Sequence, residues 1–313
     1  MASFIRSVLI FIPIGFLPFA IWVLSFESTL KFTNLYYNKL SSNVQTSMIL
    51  GTSRGCMGLN PQKFDQNQLL SYNGKMHNYA MVTPLSSYGP QYFKAIREKL
   101  DPKTENGLFI LDVNPMNLSA YGSLPGFEIE FVEDTMLLAK MHFFNSNPNL
   151  EYLLFRFPER YITMHNSMKF SELPVRIHPN GWKENKVELS EQQRRKRTQI
   201  SIDLHKKTLF NVQKPSTSRL NYLKKTIQLL QQYGNVCMVR MPVNHEWQQI
   251  EAEYWPDFDA SMHHISNELN IPYFNLIDSC PECTYRDGQH LQGSSAEAVS
   301  GNLARKLSGY QWK

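Results

Sequence analysis

The stretch ILGTSRGCMGLNP, residues 49–61, passes from an apolar run into a turn of small polar residues. An apolar run, residues 48–50, ends directly against Gly51, Thr52 and Ser53. Glycine and small hydroxyl residues commonly end a strand and cap the next element, so the triplet by itself is typical of a polar turn. In an α/β sheet, however, strand ends present the reacting groups, and a serine there is a usable nucleophile if a histidine reaches it.

Short apolar runs alternate with amphipathic stretches along the rest of the chain. The apolar runs predict strands at residues 48–50, 76–82, 108–113, 236–241 and 273–277. The amphipathic stretches predict helices at residues 88–100, 220–230, 245–269 with a break near Pro256, and 294–307. Strands alternating with helices predict an α/β fold, with a mainly parallel sheet and helices on both faces.

Length and composition indicate one domain with an appendage. The chain has 313 residues and 42% hydrophobic content, enough for a sizeable core. We expect residues 1–30 to be the appendage and residues 31–313 the domain. Residues 115–209, rich in Phe, Tyr, Asn and Pro and then charged, break the alternation and predict an insertion that forms a wall of the site. The net charge of +5 is spread along the chain, and we expect no nucleic-acid partner.

One basic run stands out, at residues 194–197. It comes after acidic residues in a polar stretch, so we interpret it as the solvated face of a helix. Contact with an anionic lipid or glycan is the alternative.

The N-terminus is expected to span a membrane. Residues 7–26, SVLIFIPIGFLPFAIWVLSF, are uncharged and long enough to cross the hydrocarbon core as a helix. Arg6 precedes this run and Glu27 comes after it, which favours a cytoplasmic N-terminus and a periplasmic or extracellular domain. Pro13 and Pro18 are tolerated within a span. A cleaved signal peptide is the alternative, but the run is longer than a usual signal core and lacks a small-x-small site after it, which favours an uncleaved signal anchor.

Four cysteines fit an oxidising compartment without requiring one: Cys56, Cys237, Cys280 and Cys283. The pair Cys280-Pro-Glu-Cys283 has redox or metal-ligand spacing, but the chain has no second pair of this kind. A metal site is therefore disfavoured, and a local disulfide that stiffens a loop is predicted. Cys56 and Cys237 are expected to remain unpaired.

A histidine able to serve Ser53 occurs near the C-terminus, in YRDGQHLQGSSAEAVS, residues 285–300. Asp287 and His290 are three residues apart, on a loop between the last predicted strand and the last predicted helix. In a sheet of this order that loop lies at the same carboxyl edge as Ser53. The carboxylate can then hold one imidazole nitrogen while the other faces the serine hydroxyl. An isolated Asp-x-x-His is more often a solvated turn.

The serine turn, the order of elements and the final Asp-x-x-His together resemble the SGNH (GDSL-like) hydrolase superfamily, over about residues 47–310. The Gly-Thr-Ser-Arg turn at Ser53 matches a variant found in membrane-anchored members. Those members resemble the teichoic-acid D-alanylation protein and the alginate-type O-acetyltransferases. The resemblance implies a flavodoxin-like three-layer sandwich, and a catalytic triad of Ser53, His290 and Asp287.

The resemblance also implies an oxyanion hole. The second block of the superfamily offers a glycine amide, and here the sequence HNYA after the second strand puts Ala80 at that position, where a backbone N–H can serve as well. The third block offers an asparagine side chain, and DVNP supplies Asn114, for which a simple Asn-Pro turn is the alternative. The expected donors are the amides of Ser53 and Ala80 and the side chain of Asn114.

Two arginines at strand ends are candidates for binding an anionic group of the substrate. These are Arg54 and Arg240, and a salt bridge is the alternative for each.

The predicted function is that of an extracytoplasmic serine acyltransferase or esterase, acting on O-acyl groups of a cell-surface glycan without a cofactor or metal. The anchor favours transfer, with the acyl group collected from an integral membrane O-acyltransferase, as in the anchored relatives. A phospholipid substrate stays open. The alternative is a catalytically inactive subunit that binds glycan or assists a membrane acyltransferase complex.

Overall fold

The computed structural model describes residues 1–121, 133–156 and 174–312. The predicted insertion, residues 115–209, therefore lies partly outside the described residues.

Strands and helices alternate along the chain as the apolar runs predict. The strands of the described residues are β1 (Ser47–Leu50), β2 (Met76–Asn78), β3 (Gly107–Asp112), β4 (Ser119–Tyr121), β5 (Val175–Ile177), β6 (Lys183–Asn185), β7 (Gln213–Pro215), β8 (Gly234–Arg240) and β9 (Tyr273–Asn275). The helices are α1 (Ala2–Thr33), α2 (Leu35–Ser41), α3 (Ser53–Gly58), α4 (Pro61–Asp65), α5 (Thr83–Ser86), α6 (Pro90–Lys99), α7 (Glu191–Asn211), α8 (Thr217–Leu230), α9 (His245–Tyr254), α10 (Phe258–Leu269) and α11 (Gly293–Ser308). Short 3₁₀ and π-helical turns occupy Leu138–Lys140 and Tyr152–Arg156.

Five of the strands form a parallel sheet in the order β2–β1–β3–β8–β9. In this register Ile49 of β1 lies between Asn78 of β2 and Ile110 of β3. The carboxyl ends of these strands meet at one edge of the sheet, where α/β proteins bind their ligands. The antiparallel pairs β4–β7 and β5–β6 lie outside this sheet. The predicted α/β class with a mainly parallel sheet is confirmed.

Helices cover both faces of the sheet. Met48 and Leu50 belong to an apolar cluster that includes residues of α6, α8 and α10, whereas Ile49 and Ile110 belong to a second cluster with residues of α4 and α11. Successive strand residues point to opposite faces. Because both faces are buried, the central strands are continuous apolar runs.

The N-terminal helix α1 has 32 residues and, within the part of the chain that is described, is the one helix long and apolar enough to cross a membrane. Its C-terminal part packs on the domain, where Val23 and Leu30 are buried. A single residue, Asn34, separates α1 from α2, and its side chain caps α2 by accepting a hydrogen bond from the Tyr37 N–H at 2.9 Å. Helix α1 thus continues into the domain without a flexible linker.

The β5–β6 hairpin contacts both α1 and α3. The Arg176 guanidinium in β5 lies 5.9 Å from the centre of the Phe32 ring in α1. At the turn of the hairpin, Trp182 donates a hydrogen bond from Nε1 to the Met57 carbonyl of α3 at 2.9 Å. The hairpin therefore joins the N-terminal helix to the helix that begins at Ser53.

Candidate active site

Ser53 is the first residue of α3 and comes directly after the turn that ends β1. Gly51 in this turn has φ of +128°, and a Cβ added there would lie 2.5 Å from the Cβ of Asp112. The ends of β1 and β3 therefore approach so closely that only glycine fits between them. Ser53 is partly exposed, at the carboxyl edge of the sheet.

The structure brings Ser53, His290 and Asp287 together. Nε2 of His290 lies 2.8 Å from Oγ of Ser53, and Nδ1 lies 2.8 Å and 2.9 Å from the two carboxylate oxygens of Asp287. Because Nδ1 faces a carboxylate, it carries the proton and donates, which leaves Nε2 to accept from the serine hydroxyl. These are the contacts expected from the sequence.

The loop carrying Asp287 and His290 is held in a defined shape. Oδ1 of Asp287 accepts hydrogen bonds from the main-chain N–H groups of Gln289 at 3.3 Å and His290 at 3.0 Å. The carbonyl of Asp287 accepts a hydrogen bond from Nε1 of the buried Trp247 at 3.1 Å. These bonds fix the carboxylate under the imidazole, so little ordering remains for a bound substrate to bring about.

Upstream in the same loop, Cys280 and Cys283 form a disulfide with an S–S distance of 2.05 Å. Cys56 and Cys237 are free and buried. Both predictions for the cysteines are therefore confirmed. The disulfide lies four residues before Asp287, so it restricts the chain that enters the loop carrying Asp287 and His290.

The pKa of Asp287 is lowered relative to an ordinary aspartate. Burial would raise it, but hydrogen bonds from His290 and Gln289, together with the His290 charge, outweigh burial and stabilise the carboxylate. An ionised Asp287 can stabilise an imidazolium that forms on His290 when it takes up a proton.

A second carboxyl group, that of Asp112, lies beneath Ser53. This side chain at the end of β3 is fully buried, and its Oδ2 accepts hydrogen bonds from the N–H groups of Thr52 and Gly55, both at 3.2 Å. Burial raises the pKa of Asp112 to about 6, although Arg54 and the hydrogen bonds oppose that rise. Asp112 therefore holds the turn from which α3 starts.

The predicted oxyanion donors are placed unequally. Within the described ranges, the main-chain N–H of Ser53 has no hydrogen-bond partner, so it is free to bind an oxyanion. Oδ1 of Asn114 accepts from the N–H groups of Met116 and Asn117, both at 3.1 Å, which turns its Nδ2 towards Thr52 at 3.4 Å, beside Ser53. The Asn114-Pro115 segment is thus a turn, and one of the two Nδ2 hydrogens of Asn114 is already directed to Thr52.

The Ala80 amide has a different environment from the one expected. Its N–H donates to Oδ1 of Asn78 at 3.1 Å. An N–H already held by a buried side chain is not available to an oxyanion unless that bond breaks. The position of Ala80 in the sequence did not reveal this bond, because the acceptor is a neighbouring side chain.

The arginines expected to bind substrate are engaged inside the protein. Nη2 of Arg54 lies 2.6 Å from one oxygen of Glu251, and Nη2 of Arg240 lies 2.8 Å from the other. Arg240 also pairs with Asp259 at 2.5 Å. The Arg54 and Arg240 side chains are only 2% and 8% exposed. The salt-bridge alternative therefore describes both residues, since buried guanidinium groups need carboxylate partners.

Sequence reasoning gave no role to Asn78, Asp112, Gln289 and Glu251, all of which are buried around the triad. Asn78 lies in the sequence HNYA and Asp112 in the sequence DVNP, the two stretches that were expected to supply oxyanion donors. Their position near the site could therefore be predicted, but the contacts of their side chains could not. Arg54 also lies 3.4 Å from Oε1 of Gln289 through both Nε and Nη2, which links the serine turn to the histidine loop.

An open cavity of about 550 Å³, lined by both polar and apolar groups, lies beside residues 283–285, upstream of Asp287. It is lined by residues of α7 and by Asn244, Thr284 and Tyr285, among others, but not by Ser53, Asp287 or His290. Arg194 and Arg195 of the predicted basic run lie in this lining. The basic run is therefore part of a helix, as predicted.

The arrangement suits nucleophilic chemistry: the serine hydroxyl contacts an imidazole that a carboxylate orients, so the Oγ proton can move to Nε2 as Oγ attacks. Across residues 1–121, 133–156 and 174–312, no group of three His, Cys, Asp or Glu side chains is placed to hold a metal ion. No family model matches the chain, and no curated protein matches it either.

Proposed function

We propose that the chain is an extracytoplasmic serine acyltransferase or esterase of the SGNH type, which acts on O-acyl groups of a cell-surface glycan. The observation that carries the proposal is the contact of Ser53 Oγ with Nε2 of His290 at 2.8 Å, while Nδ1 of the same ring faces Asp287. A serine, a histidine and a carboxylate in this order are the groups that acyl transfer through an acyl-enzyme needs.

The reaction proceeds in two half-reactions. Nε2 of His290 takes the Ser53 proton as Oγ bonds to the acyl carbon, and Asp287 stabilises the imidazolium. The Ser53 amide and the Asn114 side chain hold the developing oxyanion, each donor contributing about 3 kcal/mol. The leaving group departs with the proton from His290, giving acyl-Ser53. A second hydroxyl then loses its proton to His290, attacks the acyl carbon and releases Ser53, which regains its proton.

Two features support a glycan acceptor near a membrane. The cavity beside residues 283–285 offers Asn244, Thr284 and Tyr285 as hydrogen-bonding groups for a sugar, upstream of Asp287 in the same loop. Helix α1 supports a site at a membrane surface, where an integral membrane O-acyltransferase can supply the acyl group.

Labelling with a fluorophosphonate tests the proposal. The wild-type chain is expected to label at Ser53, and Ser53→Ala to be unlabelled. His290→Ala should reduce the labelling rate by about 10⁴-fold or more, because the base that activates the serine is lost. With an activated ester such as 4-nitrophenyl acetate, turnover that rises when a polyol or glycan is added identifies transfer. Turnover that is unaffected by the acceptor identifies hydrolysis.

One observation favours the second candidate, an inactive subunit that binds glycan or assists a membrane acyltransferase complex. The Ala80 amide is occupied by Asn78, which leaves one expected oxyanion donor engaged elsewhere. In this case a folded wild-type chain would bind glycan, but neither label with a fluorophosphonate nor turn over an activated ester.

A further inference from the structure

Asn78, the last residue of β2, contacts the helix that begins at Ser53 through its side chain. Nδ2 donates hydrogen bonds to the carbonyls of Gly55 at 2.9 Å and Leu59 at 2.8 Å, and Oδ1 accepts from the Ala80 N–H. The side chain is fully buried. It therefore holds α3 near its C-terminal end: the Leu59 carbonyl comes directly after the last helical residue, and the Gly55 carbonyl also accepts the closing hydrogen bond of the helix from the Leu59 N–H at 3.1 Å.

Helix α3 depends on such contacts because it has only six residues. A helix of that length is not stable by itself in water, so its position is set by the groups that hold it. Asp112 holds the start of α3 from β3, and Asn78 holds the end from β2, the strand on the other side of β1. Neighbouring strands thus fix the two ends of the segment that carries Ser53.

Asn78 is itself held by α2. The buried ammonium group of Lys39 donates to the main-chain carbonyl of Asn78 and, at 2.6 Å, to that of Gly181 in the β5–β6 turn. Gly181 has φ of +83°, and a Cβ there would collide with the Asn78 carbonyl. With its main chain enclosed in this way, Asn78 has little freedom to move away from α3.

We infer that Asn78 is a positioning residue, which sets the place of Ser53 relative to His290 by holding the C-terminal end of α3. This inference rests on the proposed function. The contact that depends on Asn78 is the 2.8 Å hydrogen bond between Oγ of Ser53 and Nε2 of His290. A misplacement of about 1 Å in such a pair lowers the rate by about 100-fold.

The test is Asn78→Asp in the full-length chain, reconstituted in lipid nanodiscs. Aspartate has the same shape and still accepts from the Ala80 N–H, but it cannot donate to the carbonyls of Gly55 and Leu59. Two quantities are measured: the rate of fluorophosphonate labelling per folded molecule, and the hydrogen exchange of residues 53–59.

Asn149 provides a matched control. It is also fully buried, its Nδ2 donates to two main-chain carbonyls, those of Leu40 at 3.1 Å and Phe143 at 2.9 Å, and its Oδ1 accepts from the Tyr152 N–H at 3.0 Å. Asn149→Asp therefore removes the same kind of bonds from a buried site away from α3. A role in stability alone would affect both variants alike.

In Asn78→Asp the new carboxylate also lies against the Lys39 ammonium, which is 3.4 Å from Oδ1 of Asn78. Asn78→Ala, which adds no charge, is therefore measured beside it.

We expect Asn78→Asp to label about 10- to 100-fold more slowly than wild type, and its residues 53–59 to exchange faster. Asn149→Asp should stay within about twofold of wild type in labelling and match it in exchange at residues 53–59. Wild-type labelling in Asn78→Asp, or an equal loss in Asn149→Asp, would overturn the inference.

The hydrogen-exchange measurement does not depend on catalysis. A failure of the proposed function can therefore be distinguished from a failure of the positioning role of Asn78. A wild-type chain that does not label refutes the proposed function, whereas unchanged exchange of α3 in Asn78→Asp refutes the positioning role. If Asn78→Asp does not fold, the result for Asn78→Ala decides. If neither Asn78 variant folds while Asn149→Asp does, then Asn78 serves folding rather than the geometry at Ser53, and the inference is wrong.

Discussion

Replacing Asp112 with asparagine is expected to make the protein more stable, relative to wild type, at neutral pH than at acid pH. The carboxyl group is fully buried, and its Oδ1 has no hydrogen-bond partner in the chain as far as it is described. Asparagine keeps the shape and an oxygen that can accept from Thr52 and Gly55, the donors to Oδ2. The substitution thus removes a buried charge, and it replaces Oδ1 with an NH2 group whose burial costs the same at every pH.

The size of the effect can be worked out from the pKa of Asp112, raised by burial from 3.8 to about 6. At about 1.4 kcal/mol per pKa unit, this difference corresponds to about 3 kcal/mol. In the unfolded chain the carboxyl loses its proton near pH 3.8, whereas in the folded protein it keeps the proton until about pH 6. The folded state therefore binds more protons in this window, and wild-type stability falls as the pH rises through it.

The assay is urea denaturation of wild type and Asp112→Asn in mild detergent, at about pH 4 and about pH 7.5. Between these values, the stability of the variant relative to wild type should increase by about 2 kcal/mol, somewhat less than the full difference because the unfolded carboxyl is already more than half ionised at about pH 4. Other titrating groups are common to both proteins and cancel in the comparison. The exposed Asp278→Asn controls for the loss of one negative charge. A difference that does not change with pH, or that moves against the variant as pH rises, would show that the buried charge carries no penalty.

Three other measurements test the fold and its setting. Thiol labelling of the denatured, non-reduced chain should leave Cys280 and Cys283 unmodified, and finding both free would exclude the disulfide. A C-terminal reporter that works only in the cytoplasm should be silent, because the domain is expected outside, and an active reporter would place it inside. Glu251→Gln should lower the unfolding free energy by about 3–5 kcal/mol, because two buried guanidinium groups lose the charge between them. The exposed Glu253→Gln should have little effect, and equal losses would contradict this explanation.

The alternation of strands and helices was predictable because each element buries an apolar face. Leu220, Leu223 and Ile227 recur at helical spacing, and the structure has a helix at Thr217–Leu230. The interruption expected near Pro256 separates α9 from α10. The short β5–β6 hairpin was not predicted, since its strands of three residues are too short to show a period.

At the site, strand order made it predictable that the loops carrying Ser53 and His290 meet at one edge, whereas the contacts among Ser53, His290 and Asp287 were implied by the resemblance to a known superfamily. The environments of Ala80 and Arg54 were not predictable. Each is set by a partner side chain, and no local sequence pattern indicates the direction of that side chain. Oδ1 of Asn78 accepts a hydrogen bond from the Ala80 N–H. Glu251 lies on a helix distant in sequence and forms a salt bridge with Arg54.

If α1 spans a membrane and the proposed function holds, the direct passage from α1 into α2 limits how the protein searches for its substrate. With Asn34 as the one residue between the two helices, no flexible linker lets the domain move away from the bilayer. In a bilayer, Ser53 would stay at a nearly constant height and explore the surface by lateral diffusion, as a two-dimensional search. The rate of encounter would then depend on the number of acceptor groups per unit area rather than on their concentration in solution.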